Sequence, residues 1–269
     1  MMANPMTQFL TINGTSWAYT LSGKGRCLVF LHGWMCNQTF WNNQLNIEEG
    51  YQYLTLDFPG HGQSEKFHRS RSIKQVAQDV IRILEKLEIN QPILIGHSMG
   101  GMIAQQVYLE AKERFDALIL VSTIAADTEN QLISKRIQTD TNKLGFLTSF
   151  NIHFEDWFST KTSNKVLQKV KSQMLLTEEA TSLAWVDSYT LFDLRDRLKE
   201  VTCPTLIIGT KSDNSAPPAQ SKELATLIPN AFLTIIEDCG HFPMSEKPNE
   251  LNKAIKSFVK RLNPTYKDK

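Results

Sequence analysis

The sequence predicts an α/β domain built on a mostly parallel sheet with helices covering both faces. Two observations carry this reading. Short apolar runs recur at 27–31, 51–56, 93–95, 117–121, 205–208 and 232–236, each the length of a strand buried on both faces. Amphipathic stretches with apolar residues at helical spacing lie between them, the alternation that a parallel sheet requires. The length agrees, because 269 residues bury a large core and α/β folds run to roughly 250 residues as one domain.

Taken in order, residues 15–21 alternate, with Trp17, Tyr19 and Leu21 on one side, and predict an early half-exposed strand. The runs at 27–31 and 51–56 follow as buried strands. Ile73, Val76, Ala77, Val80, Ile81, Leu84 and Leu87 then predict a helix, with Ser72 and Gln75 as a capping box. The strand at 93–95 runs straight into a helix whose apolar face carries Ile103, Val107 and Tyr108. After the strand at 117–121 the rhythm breaks. From about 125 to 189 no buried strand is evident, while helical spacing and the aromatics Phe146, Phe150, Phe154, Trp157, Phe158 and Trp185 persist. This predicts a helical insertion between two strands and not an independent domain. A strand at 205–208, a helix after Pro218 marked by Leu224, Ala225 and Ile228, and a strand at 232–236 come next. A final helix enters at Pro248 with Leu251, Ile255, Phe258 and Leu262, and the tail after Asn263 is expected to fray.

Composition narrows the function classes. Lys and Arg number 29 against 28 Asp and Glu, a formal net charge of +1, which lacks the basic excess that phosphate contacts demand. Apolar residues make up 41% and are spread along the chain, which argues against disorder. No apolar run approaches the roughly 18 residues that span a bilayer. Residues 1–10 lack a basic start followed by an apolar stretch, so no secretory signal is expected. Cys27, Cys36, Cys203 and Cys239 show no CxxC pairing and read as reduced thiols, giving a cytoplasmic expectation.

The chemistry concentrates in Gly96-His97-Ser98-Met99-Gly100, between a predicted strand and a predicted helix. A nucleophile elbow needs that context, because the serine is held in a sharp turn whose flanks have no room for a Cβ. The helix start behind Ser98 favours a developing oxyanion. Serine needs a base, and the base needs an orienting acid. His241, in Asp238-Cys239-Gly240-His241-Phe242-Pro243, follows the last strand and reaches the same sheet edge. His32, His61 and His97 sit in glycine-rich turns and read as backbone-bonding residues, while His68 and His153 have no motif around them. Asp213, after the strand at 205–208, is the first candidate for the acid and Asp127 the second, with Asp238 read as a turn former. Two backbone N–H groups complete an oxyanion site, from Met99 and from the loop after Leu31, where Trp34 is the candidate donor and pocket wall. Cys36 and Cys239 flank these loops and read as packed small hydrophobes. No HExxH or similar spacing occurs, so no metal or other cofactor is expected.

Together these residues resemble the α/β-hydrolase superfamily. The matches are His32-Gly33-Trp34, Asp57-Phe58-Pro59-Gly60-His61-Gly62-Gln63-Ser64, Gly96-His97-Ser98-Met99-Gly100-Gly101, the loop from Gly209 to Asp213, and Gly240-His241-Phe242-Pro243, in the family's order over nearly the whole chain. The resemblance implies the α/β-hydrolase fold, a mostly parallel sheet of about eight strands. It implies a core of 1–124 and 190–269 and a helical lid over 125–189. It further implies Ser98, Asp213 and His241 as a triad, Trp34 and Met99 as oxyanion donors that also touch substrate, and 57–64 as a structural loop. Serine at 98 separates the chain from the haloalkane dehalogenase and epoxide hydrolase branches, whose nucleophile is aspartate.

The small single-lid branch it is similar to includes carboxylesterases, pimeloyl-carrier-protein methyl ester esterase, 3-oxoadipate enol-lactonase, carbon–carbon bond hydrolases, thioesterases and cofactor-free haloperoxidases. His32-Gly33-Trp34 and Phe192-Asp193-Leu194-Arg195 point toward the first three. The leading expectation is a serine carboxylic-ester hydrolase acting on a small-molecule ester. A narrower one is docking of an acidic acyl carrier protein on Lys161, Lys165 and Lys169, four residues apart, with Lys171 nearby. The alternative for that stretch is a solvated helix with Val166, Val170 and Met174 inward. A non-enzyme alternative is a ligand-binding protein that keeps the hydrolase scaffold.

Overall fold

The structure is a computed structural model and describes residues 6–66, 69–127, 133–189 and 192–262. His68 and the tail after Asn263 lie outside them. Its eight strands are β1 (Gln8–Ile12), β2 (Thr15–Gly23), β3 (Arg26–Leu31), β4 (Tyr51–Leu56), β5 (Ile93–His97), β6 (Ala117–Val121), β7 (Thr205–Thr210) and β8 (Ala231–Ile236). They form one sheet in the order β1-β2-β4-β3-β5-β6-β7-β8. The β1–β2 and β2–β4 pairs are antiparallel and the rest parallel.

Each central strand is buried on both faces, and alternation sends its residues to two cores. Val29 and Leu31 pack with Leu94, Leu118 and Leu120 against helices α1 (Ile73–Lys86) and α2 (Met99–Glu110). Leu28 and Phe30 pack with Ile93, Ile95 and Ile119 on the opposite side. Helix α7 (Pro218–Leu227) contributes Leu224 to the first core. Of the short α8 (Pro243–Glu246) and the long α9 (Pro248–Arg261), α9 brings Leu251, Ile255 and Phe258 to the second. Full burial of each such side chain is worth about 1.5–3 kcal/mol. Helix α1 opens as its sequence predicts. The Ser72 hydroxyl accepts from the Gln75 N–H at 3.2 Å, and the Gln75 side chain accepts from the Ser72 N–H at 3.0 Å.

Two sequence expectations change, and one strand has no sequence counterpart. Strand β1 carries no continuous apolar run, Thr11 breaking Phe9 and Leu10 from Ile12, and only Ile12 of its five residues is buried. Strand β2 is not half-exposed at its centre: Trp17, Ala18, Tyr19 and Thr20 are all buried, since β1 and β4 flank it, Trp17 and Tyr19 join the first core and the Thr20 hydroxyl donates to the Gln38 side chain at 2.6 Å. Strand β8 is not buried on both faces. It is the sheet edge, and Phe232 and Leu233 stay 48% and 38% exposed.

Between β6 and β7 the described residues form four helices, α3 (Ile133–Leu144), α4 (Phe146–Phe154), α5 (Asn164–Met174) and α6 (Glu179–Tyr189). Their stem is closed by an antiparallel bridge between Ala126 and Asp193, with the Asp127 N–H donating to the Phe192 carbonyl at 2.7 Å and the Leu194 N–H to the Ala125 carbonyl at 3.0 Å. The aromatics pack as a chain, Phe150 to Phe154 at 5.3 Å, Phe154 to Phe158 at 4.9 Å and Phe158 to Phe242 at 5.0 Å between ring centres. Indole N–H groups fasten the helices to the sheet loops: Trp185 donates to the Pro59 carbonyl at 2.9 Å, and Trp34 to the Ser182 carbonyl at 2.8 Å. Among the described residues, no helix is long and apolar enough to cross a membrane.

Candidate active site

Ser98 caps β5 and starts α2 with φ 52° and ψ −121°, a strained conformation for a residue bearing a Cβ. The flanking glycines permit the turn. A Cβ on Gly96 would stand 2.3 Å from the Gly100 carbonyl oxygen, and one on Gly100 would stand 2.3 Å from that of Leu31. Backbone bonds hold the serine, its N–H donating to the Val121 carbonyl at 3.0 Å while its carbonyl accepts from the Thr123 hydroxyl at 2.7 Å. Thr123 follows β6 in chain order and has no motif, so nothing in the sequence singled it out.

The loop after β8 carries His241 to the serine. His241 Nε2 lies 2.9 Å from Ser98 Oγ, and its Nδ1 lies 2.8 Å from Asp213 Oδ2. The carboxylate on the Nδ1 side makes that nitrogen the donor and leaves Nε2 free to accept the serine proton. The other Asp213 oxygen accepts from the Ser215 and Ala216 N–H groups, both at 2.8 Å, and both Asp213 and His241 are buried. Asp127, the second acid candidate, is buried in the pocket wall with Tyr189 and makes no hydrogen bond to His241.

The other glycine-turn histidines are bonded to backbone, as expected. His32 Nε2 accepts from the Phe58 N–H at 3.0 Å, His61 Nε2 accepts from the Met35 N–H at 3.2 Å, and His97 Nε2 donates to the His241 carbonyl at 2.8 Å. Burial holds all three below the ordinary imidazole range, His61 at about 4. His153 pairs with Asp140 within the inserted helices. Asp57 is buried and accepts from the Gln38 and Gln63 N–H groups at 2.6 and 2.9 Å, which gives 57–64 a structural task. Burial pushes its carboxyl up. All four cysteines are buried and unpaired, and burial raises each thiol, Cys27 to about 12.

Beside Ser98 lies a cavity of about 50 Å³, lined largely by Trp34, Met99, Met102, Ile124, Ile137, Trp157, Met174 and Phe242. The Trp34 and Met99 N–H groups have no hydrogen-bond partner among the described residues. The basic face expected of Lys161, Lys165 and Lys169 is corrected. Lys161 precedes the Ser163 cap of α5 and pairs with Asp238 at 2.7 Å, so of the three only Lys165 and Lys169 lie on the helix, with Lys171 beyond them.

A model of the alpha/beta hydrolase family matches residues 28–254. The non-heme chloroperoxidase CPO-A1 of Kitasatospora aureofaciens is 28% identical over 271 residues, covering 94% of this chain and 98% of its own. The 3-oxoadipate enol-lactonase 2 of Acinetobacter baylyi is 25% identical over 240 residues, covering 88% and 89%. A solved esterase from Exiguobacterium antarcticum shares the fold with a TM-score of 0.87 at 24% identity, covering 95% of this chain and 100% of that chain.

Proposed function

The chain belongs to the alpha/beta hydrolase family, and on that premise we propose that it is a serine carboxylic-ester hydrolase working through an acyl-enzyme on small or medium acyl esters. The supporting observation is the hydrogen-bonded line from Ser98 Oγ through His241 to Asp213, at the mouth of an apolar cavity. Ser98 Oγ attacks the ester carbonyl as its proton passes to His241 Nε2. The tetrahedral oxyanion takes the Trp34 and Met99 N–H groups, and the alcohol leaves with the proton that His241 returns. Water then repeats the sequence on the acyl-enzyme and releases the acid. The helices between β6 and β7 act as the lid that shapes the acyl pocket. A cytoplasmic location belongs to this reading, since four unpaired buried thiols suit a reducing compartment.

A lactone is the same bond within a ring, and the enol-lactonase among the relatives makes enol-lactones the second substrate class to assay. A methyl ester on an acyl carrier protein is the narrower form, with Lys165 and Lys169 as its docking cations. Charge reversal at both that leaves carrier-bound turnover unchanged at low salt removes it.

The deciding assay is the initial rate on p-nitrophenyl esters of increasing acyl length, wild type beside Ser98→Ala. We expect a peak at short or medium chains and a loss of about 10^3-fold or more in the mutant. A folded wild type that hydrolyses no ester and takes no fluorophosphonate label on Ser98 favours the ligand-binding alternative.

A further inference from the structure

Glu246 ends α8, five residues beyond His241, and its carboxylate gathers four donors. Oε2 accepts from the Gly240 N–H at 3.0 Å, from the Ser159 N–H at 3.0 Å and from the Thr162 hydroxyl at 2.5 Å, and Oε1 accepts from the Phe242 N–H at 3.1 Å. Two of these amides flank His241 and two groups belong to the segment between α4 and α5. The His241 N–H itself donates to the Trp157 carbonyl at 2.6 Å, and its carbonyl accepts from His97. Gly240 is required there, because a Cβ would stand 2.3 Å from the Trp157 carbonyl oxygen. A carboxylate accepting from several N–H and O–H donors makes bonds about twice as strong as neutral ones.

We propose that Glu246 is a positioning residue that locks the His241 loop to residues 157–162 of the inserted helices, so that the placement of the base depends on the placement of the lid. The inference rests on the serine-hydrolase reading. It assigns the carboxylate no contact with substrate. Its effect runs through the backbone of 240–242, and displacing a catalytic group by about 1 Å costs on the order of a hundredfold in rate.

The test compares Glu246→Gln, Thr162→Val and Ser98→Ala with wild type. Its readouts are kcat and KM on p-nitrophenyl acetate, the rate of fluorophosphonate labelling and the melting temperature. In Glu246→Gln the new amide group points N–H at N–H, so we expect kcat and the labelling rate to fall together by about tenfold to a hundredfold, with KM within about twofold. Thr162→Val removes one bond on the lid side and leaves the histidine amides, so a smaller parallel fall, about threefold to fivefold, is expected in a protein that melts lower than wild type but still folds. That variant decides the matter if Glu246→Gln fails to fold. Variants that label and turn over within twofold of wild type, while Ser98→Ala is inert, overturn the proposal. Activity retained by Ser98→Ala instead overturns the serine mechanism beneath it.

Discussion

Ser98 and Ser122 both hold positive φ, 52° and 44°, at the carboxyl ends of the neighbouring strands β5 and β6. Strain gathers at the sheet edge where Ser98, His241 and Asp213 meet, as in preorganised sites. Buried neutral histidines are a second residue-scale feature, and they link stability to pH. The folded pKa of His61 is near 4 and its unfolded value near 6.5, so the unfolded chain binds the extra proton between those limits. The stabilisation is present above about pH 6.5 and is lost as pH falls toward 4. His61→Gln keeps an acceptor for the Met35 N–H but removes the titration. The wild type should therefore lose roughly 2 kcal/mol more than the variant between pH 7 and 5, read as the difference in their denaturant midpoints. Equal losses in the two proteins would show that His61 does not carry the linkage. Much of the residue scale is legible in the sequence. Ser98 and His241 announce themselves through glycine turns next to strands, and Asp213 by chain order. Glu246 and Thr123 do not, because each acts on a partner far away in sequence and follows no period.

At the scale of elements, a strand's place in the sheet decides what its side chains are worth. Ile208 in β7 is fully buried and Leu233 in β8 is 38% exposed, although both belong to apolar runs of the same kind. Ile208→Ala should cost about 2–5 kcal/mol and Leu233→Ala well under half as much, measured by chemical denaturation. Ser72→Ala, which removes the cap of α1, should cost about 1 kcal/mol in the same experiment. Periodicity revealed α1, α2, α7 and α9 because each buries one regular face or lies wholly in the core. It could not reveal β1, whose residues are mostly exposed, or the edge position of β8, because an apolar run reports composition and sheet order is set by pairing.

Across the whole molecule, the core holds Ser98, Asp213 and His241 while residues between β6 and β7 line the cavity beside them. Ile137 of α3 lines that cavity. Ile137→Trp should lower kcat/KM for a hexanoyl ester by about tenfold and leave the acetyl ester within about twofold, since a pocket contact is worth roughly 1–3 kcal/mol per group excluded. An equal fall on both esters would show that the substitution disturbs the base and not the acyl space. The stem at Ala126 and Asp193 has a consequence for descent. The inserted helices leave and rejoin the sheet at adjoining strands through a closed neck. Doubling the length of such a loop adds only about 0.6 kcal/mol of closure entropy. New segments can be spliced in at that neck with little thermodynamic penalty, so the lining contributed from between β6 and β7 can be rewritten by selection while the sheet and its edge loops are inherited unaltered.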